Sequence, residues 1–554
     1  MIRLRIENYL KKIIKEDAGI GVFPVEQEQF GHYSTNAAMK LAKIRGESPM
    51  QIAEEIKTAL SSMIAKNFFE KIEVAAPGFI NFWLSEKVLQ NELKEILKKK
   101  NNYGKPTIHN SRFKIQVEFV SANPTGQLTI GNGRGGFFGD VLANVLKFAG
   151  HKVVKEYYVN DAKASTQIKE LGKTALGEGK TYLTKNLESQ IAKIGAKLKN
   201  LKTKKLKNDL YGEAGYLLAQ EVQKDNKKFI EKDLKIKFDK WFSEEGLYKS
   251  GAVEKLIRRL TEKNLTYEKD GALWFKSKNF GDSEDRVLVR KPVLNGQAGE
   301  PTYFLPDLAY HLDKFRVRKF AQVIDIWGAD HHGYEPRLRA GLKALGIFEN
   351  GDGKFQVIIA QLARLIRGGE EVKMSKRKGE YVTLDDLIKE IGLDAARFFF
   401  LMNSPDTHMN FDLSLAKERS MKNPVYYIQY AAVRAQSILR KSDVRCRMSN
   451  VNFSLLNTKE DTNLMRQLAR FPEIIEEAAD KYNPQILVRY SLDLARTFHN
   501  FYEKERIIPA RRNFNEGGGE EKGLMAARSA LISATLEIFK NIFKLLGVSL
   551  PKKM

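Results

Sequence analysis

Residues 114–150 read KIQVEFVSANPTGQLTIGNGRGGFFGDVLANVLKFAG, and the fold turns on how that stretch is partitioned. Ile115 to Val120 is a β-branched and aromatic run of the length of a buried strand. Pro124 and Gly126 cannot continue it. Beyond Thr129-Ile130-Gly131-Asn132, Phe138, Val141, Leu142, Val145 and Phe148 recur at helical spacing, and Gly150 supplies a stop. Strand, glycine-rich turn and helix is the layout in which backbone N–H groups at a helix N-terminus receive a phosphate. Gly126, Gly131 and Gly133 would admit a polyphosphate to the main chain without a Cβ in the way. Taken alone, the unit is equally consistent with a tight βα turn in any α/β protein.

A second stretch far downstream complements it. Lys373-Met374-Ser375-Lys376-Arg377-Lys378-Gly379 lies between an apolar strand-like run and a helix opening near Thr383. Two lysines three apart, with a serine between, can grip the outer phosphates of ATP as a leaving pyrophosphate develops charge. A solvated basic loop is the competing reading.

Together the two stretches resemble the paired signatures of class I aminoacyl-tRNA synthetases, HIGH and KMSKS, present here as TIGN and KMSKR. VEFVSANPTG, YYVNDA, TYFLPDLAYHLDKF, GADHHGY, VKMSKRKGEYVTLDDLI, DAARFFFLM and NPVYYIQYA follow in the order expected of the arginyl-tRNA synthetase family. The similarity runs from FGHYSTNAAMKLAK near the start to LLGVSLPKKM at the end. It implies a multidomain α/β protein. A doubly wound parallel sheet would occupy residues 111–420, interrupted by a lysine-rich helical insertion at about 165–267. A small N-terminal α+β module (1–85) that touches the tRNA elbow and a helical anticodon-binding bundle (423–554) would flank it.

The resemblance also implies the chemistry: ATP-dependent activation of L-arginine, then transfer to the 3′ end of tRNA(Arg), with Mg²⁺ carried by the ATP. Thr129, Gly131 and Asn132 would lie against ATP, and Lys373, Met374, Ser375 and Lys376 would close over the pyrophosphate. Gly328 and Asp330 would sit beneath the ribose. For arginine it implies Asp307 with Tyr303 at the guanidinium, and Ser121, Ala122, Asn123, Asn132 and His331 at the backbone end, with Glu118 as support. Asp307 follows Pro306 and precedes LAYHL, so a helix-capping role is an alternative reading. The family usually carries histidine at both ends of the first signature, where this chain has Thr129 and Asn132. Hydroxyl and amide are also donors, so they can substitute in kind. A relative that binds tRNA without charging it, and a class I synthetase for another amino acid, are the competing functions.

Composition agrees with a polyanionic partner: 93 basic against 68 acidic residues give a formal charge of +25. A lysine-rich genome would produce the same excess. Cys446 is the single cysteine, which excludes an internal disulfide. His331-His332 lacks the Cys or HExxH partners of a structural metal site, so no metal is expected. MIRLRIENYLKKIIKED is an amphipathic helix rather than a signal peptide, and no uncharged apolar run approaches the ~20 residues of a membrane span. A soluble, cytoplasmic protein is expected, and the family's default is a monomer. Between Lys185 and Lys207, eight lysines accompany one acid, Glu188, a pattern that favours a solvated helical face over a specific tRNA contact. From Asn423 onward the pattern is helical, and Ile532, Leu536, Phe539, Phe543 and Leu546 form the buried stripe of the last helix.

Overall fold

The computed structural model describes every residue except 18, 64–67, 107–112, 204–208, 291–298, 349–352, 373–381, 442–450 and 508–518. It forms two compact units, Ile108–Glu418, and Met1–Thr107 together with Arg419–Met554.

The first unit is built on five parallel strands: β1 (Lys114–Glu118), β2 (Lys152–Val159), β3 (Lys240–Ser243), β4 (Gln322–Gly328) and β5 (Lys354–Ala360), in the order β5-β4-β1-β2-β3. Strand order runs outward from β1 in one direction, then restarts on its other side with β4. The switch point therefore falls between β1 and β4, and in sheets of this kind the ligand crevice lies at the carboxyl ends of the strands that flank it. Helix α1 (Ile130–Phe148) follows β1 and is buried on nearly all sides. Its close approach to β1 depends on Gly139, where a Cβ would come within 2.4 Å of the Phe119 ring. Arg134, also on α1 and 1% exposed, donates to the carbonyls of Gln361, Leu362, Ser404 and Thr407. One guanidinium thus ties the segments after β5 to the helix that opens the crevice, and its loss would strand four acceptors.

Two sequence expectations are corrected. Within the stretch expected to be parallel sheet, GALWFK and DRVLVRK form strands (Ala272–Phe275 and Arg286–Val289), but Ala272–Phe275 pairs antiparallel with both Arg286–Val289 and Thr266–Lys269, in a separate sheet. Conversely β3, inside the stretch read as a helical insertion, is a strand of the main parallel sheet. Four residues with lysine at one end are too short for periodicity to reveal. The helices before β3 pack on Ile168, Leu171, Leu187 and Leu218. Gly172 and Gly215 let Thr166–Leu176 and Leu210–Lys232 (α2) meet backbone to backbone: a Cβ at either would fall 1.8 Å from a carbonyl oxygen. Lys185, Lys193, Lys197 and Lys199 are exposed.

The second unit joins a four-stranded antiparallel sheet and its helices to the C-terminal bundle. The sequence divides these into separate modules, whereas they share a core boundary. The Tyr33 hydroxyl and the Arg3 backbone N–H both donate to the buried Glu473 carboxylate, at 3.0 and 2.8 Å. The expected stripe on Gly519–Leu546 is buried throughout. No described helix is long and apolar enough to cross a membrane.

Candidate active site

Thr129 is the N-cap of α1, and Thr129 and Asn132 form a capping box. The Thr129 backbone N–H and hydroxyl both donate to Asn132 Oδ1 at 2.9 Å, and the Asn132 N–H donates back to Thr129 Oγ1 at 3.4 Å. The Thr129 hydroxyl is therefore engaged in the cap. The Asn132 amide nitrogen stays outside the cap, as do the Ile130 and Gly131 N–H groups. Gly131 is exposed, and a Cβ there would meet only Thr129 Oγ1 at 3.7 Å, so its surface is open to a ligand. Gly133 is different. A Cβ would lie 2.5 Å from Leu384 Cδ1, so this glycine serves packing rather than phosphate approach.

Leu384 opens helix α5 (Leu384–Ile391), which is capped by Thr383 through a reciprocal box with Asp386. Thr383 bridges Thr129, and the Leu384 N–H donates to Leu128 O at 3.0 Å. The chain leaving the second signature is thus fastened to the first. Lys373, Met374, Ser375 and Lys376 lie outside the described residues, as does Cys446.

At the end of β1 the backbone is strained. Val120 and Ser121 have φ of 69° and 35°, a region that β-branched and other L-residues seldom enter. Neighbouring groups hold them there. Ser121 Oγ donates to Glu118 (3.0 Å) and accepts from the Tyr158 N–H (3.1 Å), and Asn160 donates to Ser121 O (2.9 Å). The Ala122 carbonyl accepts from Tyr157 and Gln223. Ser121 and Ala122 are accordingly committed to the frame, and the side chain exposed at this turn is Asn123.

Asp307 stands in the first turn of helix α4 (Phe304–Leu312), whose N-cap is Tyr303 without a side-chain cap. The capping reading of Asp307 is thereby excluded. Its half-buried carboxylate lies 3.1 Å from His311 Nδ1. Tyr303 is 63% exposed, its hydroxyl accepting from Arg337 at 2.8 Å and its ring 5.6 Å from that of Tyr334. Burial, then the Asp307 charge, pushes the Tyr334 hydroxyl pKa well up. Gly328 ends β4, and Asp330 and His331 follow in an exposed turn, 3.5 Å apart between Oδ2 and Nε2.

Sequence reading missed a wall of acids beside Asp307. Ser243 caps the short helix α3 (Glu244–Lys249) directly after β3. Glu244 is half-buried, and its pKa is lifted to about 8 by burial first, then by the charges of Asp161, Asp307 and Glu245. Asp161 accepts from Ser243 Oγ and from the Glu245 N–H. The signal present in the sequence was SEEG, a serine cap with acids in the first turn. Carboxylates gathered this densely beside Asp307 suit a guanidinium.

Three family descriptions match in order. "Arginyl tRNA synthetase N terminal domain" covers residues 1–84, "tRNA synthetases class I (R), catalytic domain" 92–415, and "DALR anticodon binding domain" 428–554. The chain belongs to the arginyl-tRNA synthetase family. Curated family relatives named arginine–tRNA ligase include one from Caldanaerobacter subterraneus, 41% identical over 96% of this chain and 92% of its own. Another, from Bacillus subtilis, is 42% identical over 95% of this chain and 92% of its own. Among solved structures, the arginyl-tRNA synthetase of Thermus thermophilus aligns with a TM-score of 0.75 at 20% identity, covering all of both chains. That of Plasmodium falciparum aligns at 0.74 and 20%, covering all of this chain and 98% of the other. At such identity these two speak for the fold, and they carry the multidomain α/β architecture.

Proposed function

We propose that this chain is an arginine–tRNA ligase, a class I enzyme that uses ATP to activate L-arginine and passes it to the 3′ end of tRNA(Arg). In the first step an arginine carboxylate oxygen attacks the ATP α-phosphorus. The bond to the bridging oxygen breaks, and pyrophosphate leaves with arginyl-adenylate formed. In the second, a terminal ribose hydroxyl attacks the acyl carbon and AMP departs with its electron pair. Neither step needs a covalent protein intermediate, so the protein contributes positioning and charge stabilisation.

The observation that carries this reading is Asp307, set beside Glu244 and Asp161 in the unit whose crevice opens on a helix N-terminus. Asp307 and Tyr303 receive the guanidinium, with Glu244 added to them here. Asn123, Asn132 and His331 take the backbone end of the amino acid, framed by Ser121, Ala122 and Glu118. Thr129, Gly131 and Asn132 position the phosphates, Gly328 and Asp330 the ribose. Lys373, Met374, Ser375 and Lys376 close on the leaving pyrophosphate, and Mg²⁺ arrives with the ATP. The bridge between Thr129 and Thr383 supports that closure, because it fastens a residue that follows the second signature in the chain to the first. The N-terminal module and the helical bundle bind the tRNA. The protein acts as a cytoplasmic monomer.

A relative that binds tRNA without charging it is not favoured, since the cap that opens the phosphate site is complete. The test is ATP–pyrophosphate exchange. Exchange should depend on arginine, and on tRNA(Arg) as well. Exchange with another amino acid, or none under any combination, would contradict the proposal, and exchange without tRNA would overturn the tRNA requirement.

A further inference from the structure

His311 is 1% exposed on α4, and both of its ring nitrogens face carboxylates. Nδ1 lies 3.1 Å from Asp307 Oδ1 and 2.8 Å from Asp307 O, and Nε2 lies 2.7 Å from Asp325 Oδ2 on β4. The chain of contacts continues without a break. Lys314, fully buried, donates to Asp325 Oδ1 at 2.9 Å and to Glu118 Oε2 at 2.7 Å, and Glu118 Oε1 accepts from Ser121 Oγ at 3.0 Å. Five ionisable side chains from α4, its continuation, β4 and β1 therefore connect Asp307 to the strained turn at Ser121.

Burying such a chain costs stability relative to apolar packing, so its presence calls for a return in positioning. With Lys314 and His311 charged, Glu118 and Asp325 are balanced, and the network ends one positive charge short, at Asp307. A substrate guanidinium supplies that charge. Planar, two-bonded recognition also needs the acceptor carboxylate held in one orientation, and a side chain packed behind it is the usual means.

We propose that His311 is the positioning residue for arginine selection: bridging Asp307 and Asp325, it fixes the guanidinium-binding carboxylate and couples it through Lys314 and Glu118 to the turn that frames the backbone end of the amino acid. The inference rests on the reading of Asp307 as guanidinium acceptor. Oxygen acceptors on both sides favour hydrogen on both ring nitrogens, while the Lys314 ammonium, 3.4 Å from Nε2, opposes it. Burial and Lys314 oppose a charge on His311, yet Asp307 and Asp325 outweigh them and lift its pKa to about 9. The other neighbours packed on the ring are Tyr310 and Phe355, neither of which competes for the proton near neutrality. Glu118 lies further along, on β1.

Two substitutions separate the ends of the bridge. An asparagine amide occupies the place of Nδ1, and a glutamine amide that of Nε2. His311→Gln keeps the Asp325 contact and frees Asp307, so the arginine KM in exchange should rise about tenfold or more while the ATP KM stays within about twofold. His311→Asn keeps the Asp307 contact and should restore most of the loss. A role confined to folding would move both KM values in both variants alike, and that result, or an unchanged arginine KM in His311→Gln with active wild type, overturns the inference. Wild type unable to use arginine would instead sink the ligase reading itself. Should the variants fail to fold, ¹⁵N-histidine NMR of the wild-type protein still decides. A buried imidazolium at neutral pH, shifted by arginine and not by ATP, is expected, and a neutral imidazole would contradict it.

Discussion

Glu244 has a carboxyl whose pKa stands at about 8, above the ordinary 4.5, because it is withdrawn from water beside Asp161, Asp307 and Glu245. Near neutral pH it is largely protonated in the free protein. A guanidinium entering beside it favours the anion and lowers the pKa, so arginine binding should release a proton, approaching one near neutrality and vanishing as pH rises past 8. Calorimetry in buffers of differing ionisation enthalpy reads this directly, and proton uptake or none would remove Glu244 from the pocket. Asp307 was legible from sequence because it sits within a distinctive local motif. Glu244 was not, because it comes beside Asp307 only when β3 joins the sheet and carries the next helix with it. Thr129 and Asn132 show a further limit. Their types announce donors, but only the fold reveals that they bond to each other first, with the asparagine amide nitrogen outside the cap.

Among elements, α1 bears the most, and its glycines divide the work. Gly131 faces open space, whereas Gly133 is the seat of Leu384 on α5. Gly131→Ala should leave the melting temperature unchanged or slightly raised, since alanine is the better helix former, while raising the ATP KM. Gly133→Val should destabilise by about 1–3 kcal/mol through overpacking and lower exchange by displacing the helix that follows the second signature. Thermal melts and exchange kinetics of the two variants check this pair, and equal effects on stability would contradict the division. The sequence pattern marked α1 and its strand correctly because both are long or strongly apolar. Sequence alone assigns both Gly131 and Gly133 to phosphate approach, since it cannot distinguish a Cβ-free surface facing solvent from one facing leucine. The strands at 272–275 and 286–289 lie in the stretch expected to be parallel, and their antiparallel pairing was not legible. Pairing is a long-range property that local alternation leaves open.

At the scale of the molecule, the strand order β5-β4-β1-β2-β3 is what places the pieces: it sets the switch point between β1 and β4, and the first signature, the strained Ser121 turn and the Asp307 helix all belong to the unit built on it. The buried line from Asp307 to Glu118 ties that helix to both central strands. The order of motifs along the chain made this class of fold legible, while the sharing of one compact unit by the N-terminal module and the C-terminal bundle was not, because it rests on contacts such as Tyr33 with Glu473, hundreds of residues apart. Arginine selection, as proposed, rests on a carboxylate that answers the guanidinium and nothing else in the reaction. Asp307→Ala tests it most directly, with exchange and ATP binding measured on the same preparation in the presence of tRNA(Arg). Arginine-dependent exchange should be abolished while ATP affinity stays within about twofold of wild type. Parallel loss of both, or exchange that continues with arginine, would contradict it.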